Sequence, residues 1–190
     1  MIRASLTIPL PLALAALVSF STAHRTAADG HLVAADDVVD RESLKDFVLG
    51  AKGLVESAEN EDELETVLEE LRTDNWKEGS IYIFITGYDG TSFFHAAVPA
   101  REGTNNIDQE DSNGVMVVQE LIAAAQSGGG FVEYLWDNPA IEGADESPKV
   151  SYAAPVEILG ESYYIGAGLY PSAEGTSVAP SSWGRLKGRI

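Results

Sequence analysis

Lys149-Val-Ser-Tyr-Ala-Ala-Pro-Val156 and then Tyr163-Tyr-Ile-Gly-Ala-Gly-Leu-Tyr170 read as two consecutive strands, and the way they join decides the fold. Gly160-Glu161 between them is suited to a tight hairpin, so the two strands run antiparallel. Side chains on a strand alternate between faces. Lys149 and Ser151 therefore share one face of the first strand, and Val150 and Tyr152 the other. In the second strand Tyr164, Gly166, Gly168 and Tyr170 align, which reads as a side-chain-free floor bordered by phenols. Glycine inside a strand marks close approach of a ligand or of another backbone. The chain has 12 Lys plus Arg against 30 Asp plus Glu. In so acidic a protein, a lysine within a strand reads as the counter-charge for something small and anionic.

Upstream of this hairpin the period changes. Leu44, Phe47, Val48, Ala51, Leu54, Val55 and Ala58 recur at the spacing of one helix face, with Asp40 placed to cap the start. Asn60 and Glu63 form a capping-box-like second start, and Leu64, Val67, Leu68 and Leu71 repeat the stripe to about Arg72. Residues 80–86 are β-branched and aromatic and apolar on both faces, the pattern of a strand buried on two sides. Asp89-Gly90 signals a hairpin turn, with a return strand over 91–96. A loop over 98–114 leads to a short amphipathic helix carrying Val117, Val118, Leu121, Ile122 and Ala125, which Gly128-Gly-Gly130 stops. Strands follow at 131–136, 149–159 and 162–170. The expected fold class is α+β, a long N-terminal helix packed on an antiparallel sheet of about five strands. One sheet face is expected to be helix-covered and the other free to form a pocket.

The composition narrows the function. Residues 1–28 have the plan of a secretory signal peptide, with Arg3, an apolar run over 6–20 and small residues before a cleavage after Ala23 or Ala28. That predicts an exported protein, periplasmic or secreted, or a membrane-anchored one if the segment stays uncleaved. The run contains Pro9 and Pro11 and falls short of the roughly 20 residues of a spanning helix. The expected domain covers 37–171 and is followed by a flexible tail over 172–190. The absence of cysteine rules out disulfides, thiolate metal sites and a cysteine nucleophile. A formal charge of −18 argues against nucleic acid as a partner.

Catalytic patterns are missing. Histidine occurs only at His24, His31 and His95, with no Gly-x-Ser-x-Gly elbow, phosphate loop or dinucleotide fingerprint. No catalytic residue, cofactor or metal ligand is therefore expected. One metal pattern nearly fits: from Gln109, residues Asp111, Asn113, Gly114 and Glu120 fall in the register of a calcium loop, with Gln109 in place of the initial Asp. The competing reading is a turn, Asp111-Ser-Asn-Gly114, that leads into the helix.

What remains is a constellation for binding. Val132, Tyr134 and Trp136 share a face of their strand, and Phe93 and His95 share a face of theirs. A lysine ammonium, a tyrosine hydroxyl and an imidazole can together hold one carboxylate. Each residue also has a plainer role: His95 as an edge or core histidine, Trp136 as a core aromatic, Lys149 as a strand-end surface lysine. The combination is what points to a pocket.

These pieces, in order, resemble a single Cache domain of the second type, an extracytoplasmic sensor module. They are Ile81-Tyr-Ile-Phe with Tyr88-Asp-Gly90; Phe94-His95 with Pro99; Glu102-Gly-Thr-Asn-Asn-Ile-Asp108; and Asp111-Ser-Asn-Gly114. They continue with Gly128-Gly-Gly-Phe-Val-Glu-Tyr-Leu-Trp136 and Asn138-Pro139, Lys149-Val-Ser-Tyr152, and Tyr164-Ile-Gly-Ala-Gly-Leu-Tyr170. The resemblance implies a PAS-like antiparallel sheet with a pocket on one face that recognises small molecules, often short carboxylic acids. It implies no catalysis, and it favours the turn reading of 111–114. Carried over position by position, the ligand-binding residues it implies are His95, Tyr134, Trp136, Lys149 and Tyr152. Tyr152 has the opposite parity to Lys149 unless a bulge intervenes. The chain departs from the family in having His95-Ala96 where His-Pro is usual. It also has only a short tail where a transmembrane helix and an output module normally follow. The expected function is extracytoplasmic binding or sensing of a small organic anion, with output through a membrane-bound receptor or signalling protein. The alternatives are a periplasmic interaction subunit that has kept the fold but not the ligand, and a small exported hydrolase.

Overall fold

The computed structural model describes residues 32–138 and 146–171, so the expected signal segment at 1–28 and the tail at 172–190 lie outside the described residues. Helix α1 (Arg41–Glu56) begins at Asp40, whose carboxylate accepts from the Ser43 N–H at 2.9 Å while the Ser43 hydroxyl oxygen accepts from the Asp40 N–H. The chain then breaks, and α2 (Glu61–Glu70) restarts at Asn60, which accepts from the Glu63 N–H at 3.0 Å. Glu63 in turn accepts from the Glu59 N–H. The helical region is thus two capped helices, as its two start signals imply. Leu44, Phe47, Val48, Ala51 and Val55 form the buried stripe of α1.

The strand read over 80–86 is divided. Lys77–Glu78 (β1) and Ile81–Tyr82 (β2) form a small antiparallel hairpin that turns at Gly79, where φ is +56°. Phe84–Gly87 (β3) then enters the main sheet with β4 (Ser92–His95), β5 (Gly130–Trp136), β6 (Ser147–Ile158) and β7 (Glu161–Leu169). The sheet order is β4-β3-β7-β6-β5, with every neighbouring pair antiparallel. Leu159 and Gly160, both at positive φ, make the β6–β7 turn tight.

The two sheet faces build separate cores. On one, Ile83, Ile85, Val150, Tyr152, Val156 and Ile165 join the stripe of α1. On the other, Val132, Tyr134, Ala153 and Tyr164 pack with the apolar residues of α3 (Val117–Gln126). The sequence pattern suggested a free second face, and the structure corrects this. Helix α3 roofs part of it and leaves a covered space beneath. At the first face, the Arg41 guanidinium pairs with Glu133 and lies 5.2 Å from the Phe131 ring centroid, which ties the start of α1 to β5. Among the described residues no helix is long and apolar enough to cross a membrane.

Two local features depart from simple alternation. The β3–β4 register slips between the pairs Ile85–Phe94 and Thr86–Ser92, leaving Phe93 as an extra residue. Phe93 packs on Tyr163 at 4.8 Å and adds to the α1 core, so it does not share a face with His95. Ser92 and His95 instead both line the α3 side.

The glycines of β7 are the second departure. A Cβ at Gly166 would lie 2.8 Å from the Phe84 ring, and one at Gly168 would lie 2.5 Å from Lys149 Cε and 2.3 Å from Ser151 Oγ. The glycine floor is thus occupied by a phenyl ring and by the stem of the lysine. The glycines do mark close approach, but the approaching groups belong to the protein.

Gly168→Ala should overpack this floor and destabilise the fold by about 1–3 kcal/mol. A methyl group added at Gly53 in α1 would meet nothing within 4 Å, so Gly53→Ala should stabilise by up to about 1 kcal/mol. Urea denaturation of the two variants beside the parent checks both signs.

Candidate functional site

Beneath α3 lies a cavity of about 60 Å³. That is several times the roughly 10–15 Å³ a single water requires. It is far below the roughly 300–1,000 Å³ of pockets for drug-sized molecules. A space of this size admits only a few heavy atoms. Strands β3–β7 supply one wall, Val117, Val118 and Leu121 of α3 an apolar one, and the 99–116 loop the remainder, including Arg101.

Lys149 is 1% exposed. The hairpin register places it opposite Tyr134 on β5, and the missing side chain at Gly168 lets its stem lie along the sheet. Its ammonium donates to the Tyr82 hydroxyl at 3.2 Å and sits 4.7 Å from the Tyr82 ring centroid and 4.9 Å from that of Tyr170. Phenol rings surround it, and none of the salt bridges among the described residues includes it. No described residue lining the cavity is acidic.

His95 stands beside the lysine, its ring 4.9 Å from that of Tyr82. Nδ1 accepts from the Val98 N–H at 3.0 Å, so the proton of the neutral ring sits on Nε2. Burial pushes the imidazole pKa down to about 4, helped by the positive charges of Arg101 and Lys149. His95 is therefore an uncharged donor at neutral pH. Its backbone is held in place as well: the N–H donates to Glu102 at 2.9 Å, and Arg72 donates both to Glu102 and to the His95 carbonyl.

Tyr134 and Trp136 project from β5 into the cavity wall. The Tyr134 and Ser151 hydroxyls are 2.7 Å apart, and burial holds the phenol well above its ordinary pKa. Trp136 meets Tyr134 edge-on at 5.6 Å and carries the Arg101 guanidinium 5.5 Å from its ring centroid.

The structure thus brings together His95, Tyr134, Trp136 and Lys149 of the five residues singled out from sequence. Tyr152 does not join them. Strand β6 pairs without a slip from Lys149 to Ile158, so no bulge turns Tyr152 around. It faces the α1 core, packed on Phe131 at 4.9 Å.

Two lining residues, Arg101 and Tyr82, escape the sequence pattern. Strand parity cannot find Arg101, which lies on a turn of 3-10 helix (Pro99–Arg101). A charge count can, because Arg101 and Lys149 are the only Lys or Arg residues between positions 78 and 184. Tyr82 shares the alternation of Phe84 and Thr86, but its place beside Lys149 requires the sheet order.

Asp111 has a structural task. One carboxylate oxygen accepts from the Asn113 and Val115 N–H groups at 2.9 Å, and the other from the Leu135 N–H at 2.7 Å. The segment 111–114 is a turn, with Gly114 at φ +85°, and Asp111 staples the loop to β5.

Known proteins share this architecture. The sensor histidine kinase MctS of Rhizobium johnstonii is 33% identical over 97 residues, which are 51% of this chain and 20% of that protein. The chain therefore spans about a fifth of the length of this curated relative. A periplasmic sensor domain of a chemotaxis protein superposes with a TM-score of 0.58 at 27% identity, covering 68% of this chain and 93% of that one. A Cache chemosensory domain, described for its recognition of carboxylic acid, superposes with a TM-score of 0.57 at 24% identity, covering 68% and 91%. The model of the Cache domain family matches residues 43–180. With its PAS-like sheet and covered cavity, the chain belongs to the Cache domain family of extracytoplasmic sensor domains.

Proposed function

We propose that this chain is a sensing module that binds a short monocarboxylic acid, of about two to four carbons, and performs no catalysis. The observation that carries the reading is Lys149, a residue 1% exposed whose ammonium lies among phenols and outside every described ion pair. An isolated buried charge is strongly unfavourable. Aromatic faces return only about 2 kcal/mol to a desolvated cation. An anion in the cavity would complete the lysine's coordination, with His95 Nε2–H as a neutral donor beside it.

The other walls select within the anions. Val117, Val118 and Leu121 offer an apolar surface for a short alkyl chain. The absence of an acid among the described lining residues leaves nothing to receive an ammonium, so amines and amino acids fit poorly. The 60 Å³ volume limits the chain length. The neighbour described for carboxylic acid recognition supports the ligand class at the level of the fold. A membrane-bound receptor or signalling protein would carry the output, in keeping with the sensor kinase and chemotaxis relatives. The operating site would be outside the cytoplasm.

Thermal unfolding across acetate, propionate, butyrate, the matching amines and glycine tests the assignment. A ligand at about a hundred times its Kd stabilises by about 2.7 kcal/mol. That corresponds to roughly 5–10 °C in a chain of this size. The acids should produce such a shift and the amines and glycine none. Lys149→Met should abolish the shift while raising the stability of the unliganded protein by about 1–3 kcal/mol, since it removes a buried charge. If no acid shifts the parent protein, or the variant still responds, the reading fails.

The protonation state assigned to His95 has its own consequence. An imidazole in the unfolded chain titrates near 6.5, and in the fold near 4. Between those values the unfolded chain binds more protons, so this contribution to stability is complete above pH 6.5 and declines as pH falls toward 4. Urea midpoints from pH 7.5 to 4.5 should fall more steeply for the parent than for His95→Gln.

A further inference from the structure

A second, larger recess lies outside the cavity, with a volume of about 560 Å³. Tyr82, His95, Arg101 and Trp136 line both spaces and form the partition between them. The outer recess carries Asp74, Glu78 and Asp137 on its walls, with Lys77 opposing them. A small anion approaching a chain of net charge −18 meets mostly repulsion, and the rim of this recess adds to it. At the inner end stands Arg101, half-buried and facing both spaces.

Arg101 is held lightly. Its guanidinium rests over Trp136 with the ring centroid 5.5 Å away, and none of the salt bridges among the described residues includes it. A partly exposed cation–ring contact of this kind is weak enough for an incoming anion to replace. Its backbone, by contrast, is fixed. Arg101 N–H donates to the Val98 carbonyl at 3.0 Å, and its own carbonyl accepts from the Thr104 hydroxyl at 2.6 Å. The side chain can pivot on a firm base.

We propose that Arg101 is the capture residue of this site: it draws the ligand anion into the outer recess, exchanges Trp136 for it, and passes it through the partition to Lys149. The proposal rests on the carboxylate reading above and deepens it. The two cations divide the work. Lys149, fully buried, holds the bound anion and governs its release. Arg101, at the threshold, governs its arrival. Charges at a rim act on association rates and their salt dependence, and buried charges act on dissociation.

Stopped-flow tryptophan fluorescence with propionate, on the parent chain, Arg101→Gln and Arg101→Lys, decides the matter. Arg101→Gln should lower the association rate about three- to tenfold at roughly 10 mM salt, with dissociation changed less than about twofold. The gap between parent and variant should close toward 1 M salt, where the screening length shrinks from about 30 to about 3 Å. Arg101→Lys, which keeps the charge, should restore most of the rate. Equal association rates in parent and Arg101→Gln, a gap that persists at about 1 M salt, or an effect confined to dissociation would each overturn the capture role while leaving the carboxylate site intact. Failure of the parent chain to bind propionate, acetate or butyrate would overturn the carboxylate reading and this proposal together.

Discussion

An ammonium placed inside a β-sheet is the constraint from which the rest of this molecule can be understood. Lys149 reaches its position only because Gly168 on the neighbouring strand has no side chain, and Ser151 uses the same gap. Its charge is surrounded by the faces of Tyr82 and Tyr170 and by one phenolic oxygen. The ring stacked against Tyr82 belongs to His95, which burial and two nearby cations keep uncharged. A second positive charge at that point would add to the unfavourable burial of the first. The neutral histidine is thus part of the same arrangement as the buried lysine.

The distribution of charge gives this arrangement its meaning. Acidic residues outnumber basic ones 30 to 12 in the chain, yet the described cavity wall has two cations and no acid. Acids cover the outside, where they aid solubility. Inside, their absence makes the space selective. A pocket recognises an anion as much by lacking competitors for its cations as by having the cations.

Much of the framework was legible because its signals are local. Asp40 and Asn60 cap the helices they were expected to cap, and Asp89-Gly90 and Gly160 turn where hairpins need them. The candidate site was legible only in part, for reasons of geometry. Counting by twos assumes an unbroken register, and the bulge at Phe93 breaks it, so His95 shares the cavity side with Ser92 instead of with Phe93. Tyr152 illustrates the converse. Strand β6 is regular, parity alone puts Tyr152 against α1, and the position carried over from the family resemblance does not face the cavity. Glycines 166 and 168 announced a close approach, but a sequence does not say whether a ligand or a neighbouring side chain does the approaching. Arg101 sits on an irregular loop, where no periodicity exists to place it.

Strand β5 has a consequence that reaches beyond the cavity. Its alternate residues serve opposite sides: Tyr134 and Trp136 form cavity wall, while Phe131 and Glu133 grip Arg41 at the first turn of α1. A displacement of the strand backbone therefore reaches both faces at once. To the extent that an occupant of the cavity displaces β5, the coupling free energy between the cavity and the docking of α1 is the same read from either side. By the same reciprocity, a restraint applied to α1 from outside alters the affinity within. The strand thus joins the two cores through the backbone, beside the side chain of Phe84, which packs against both.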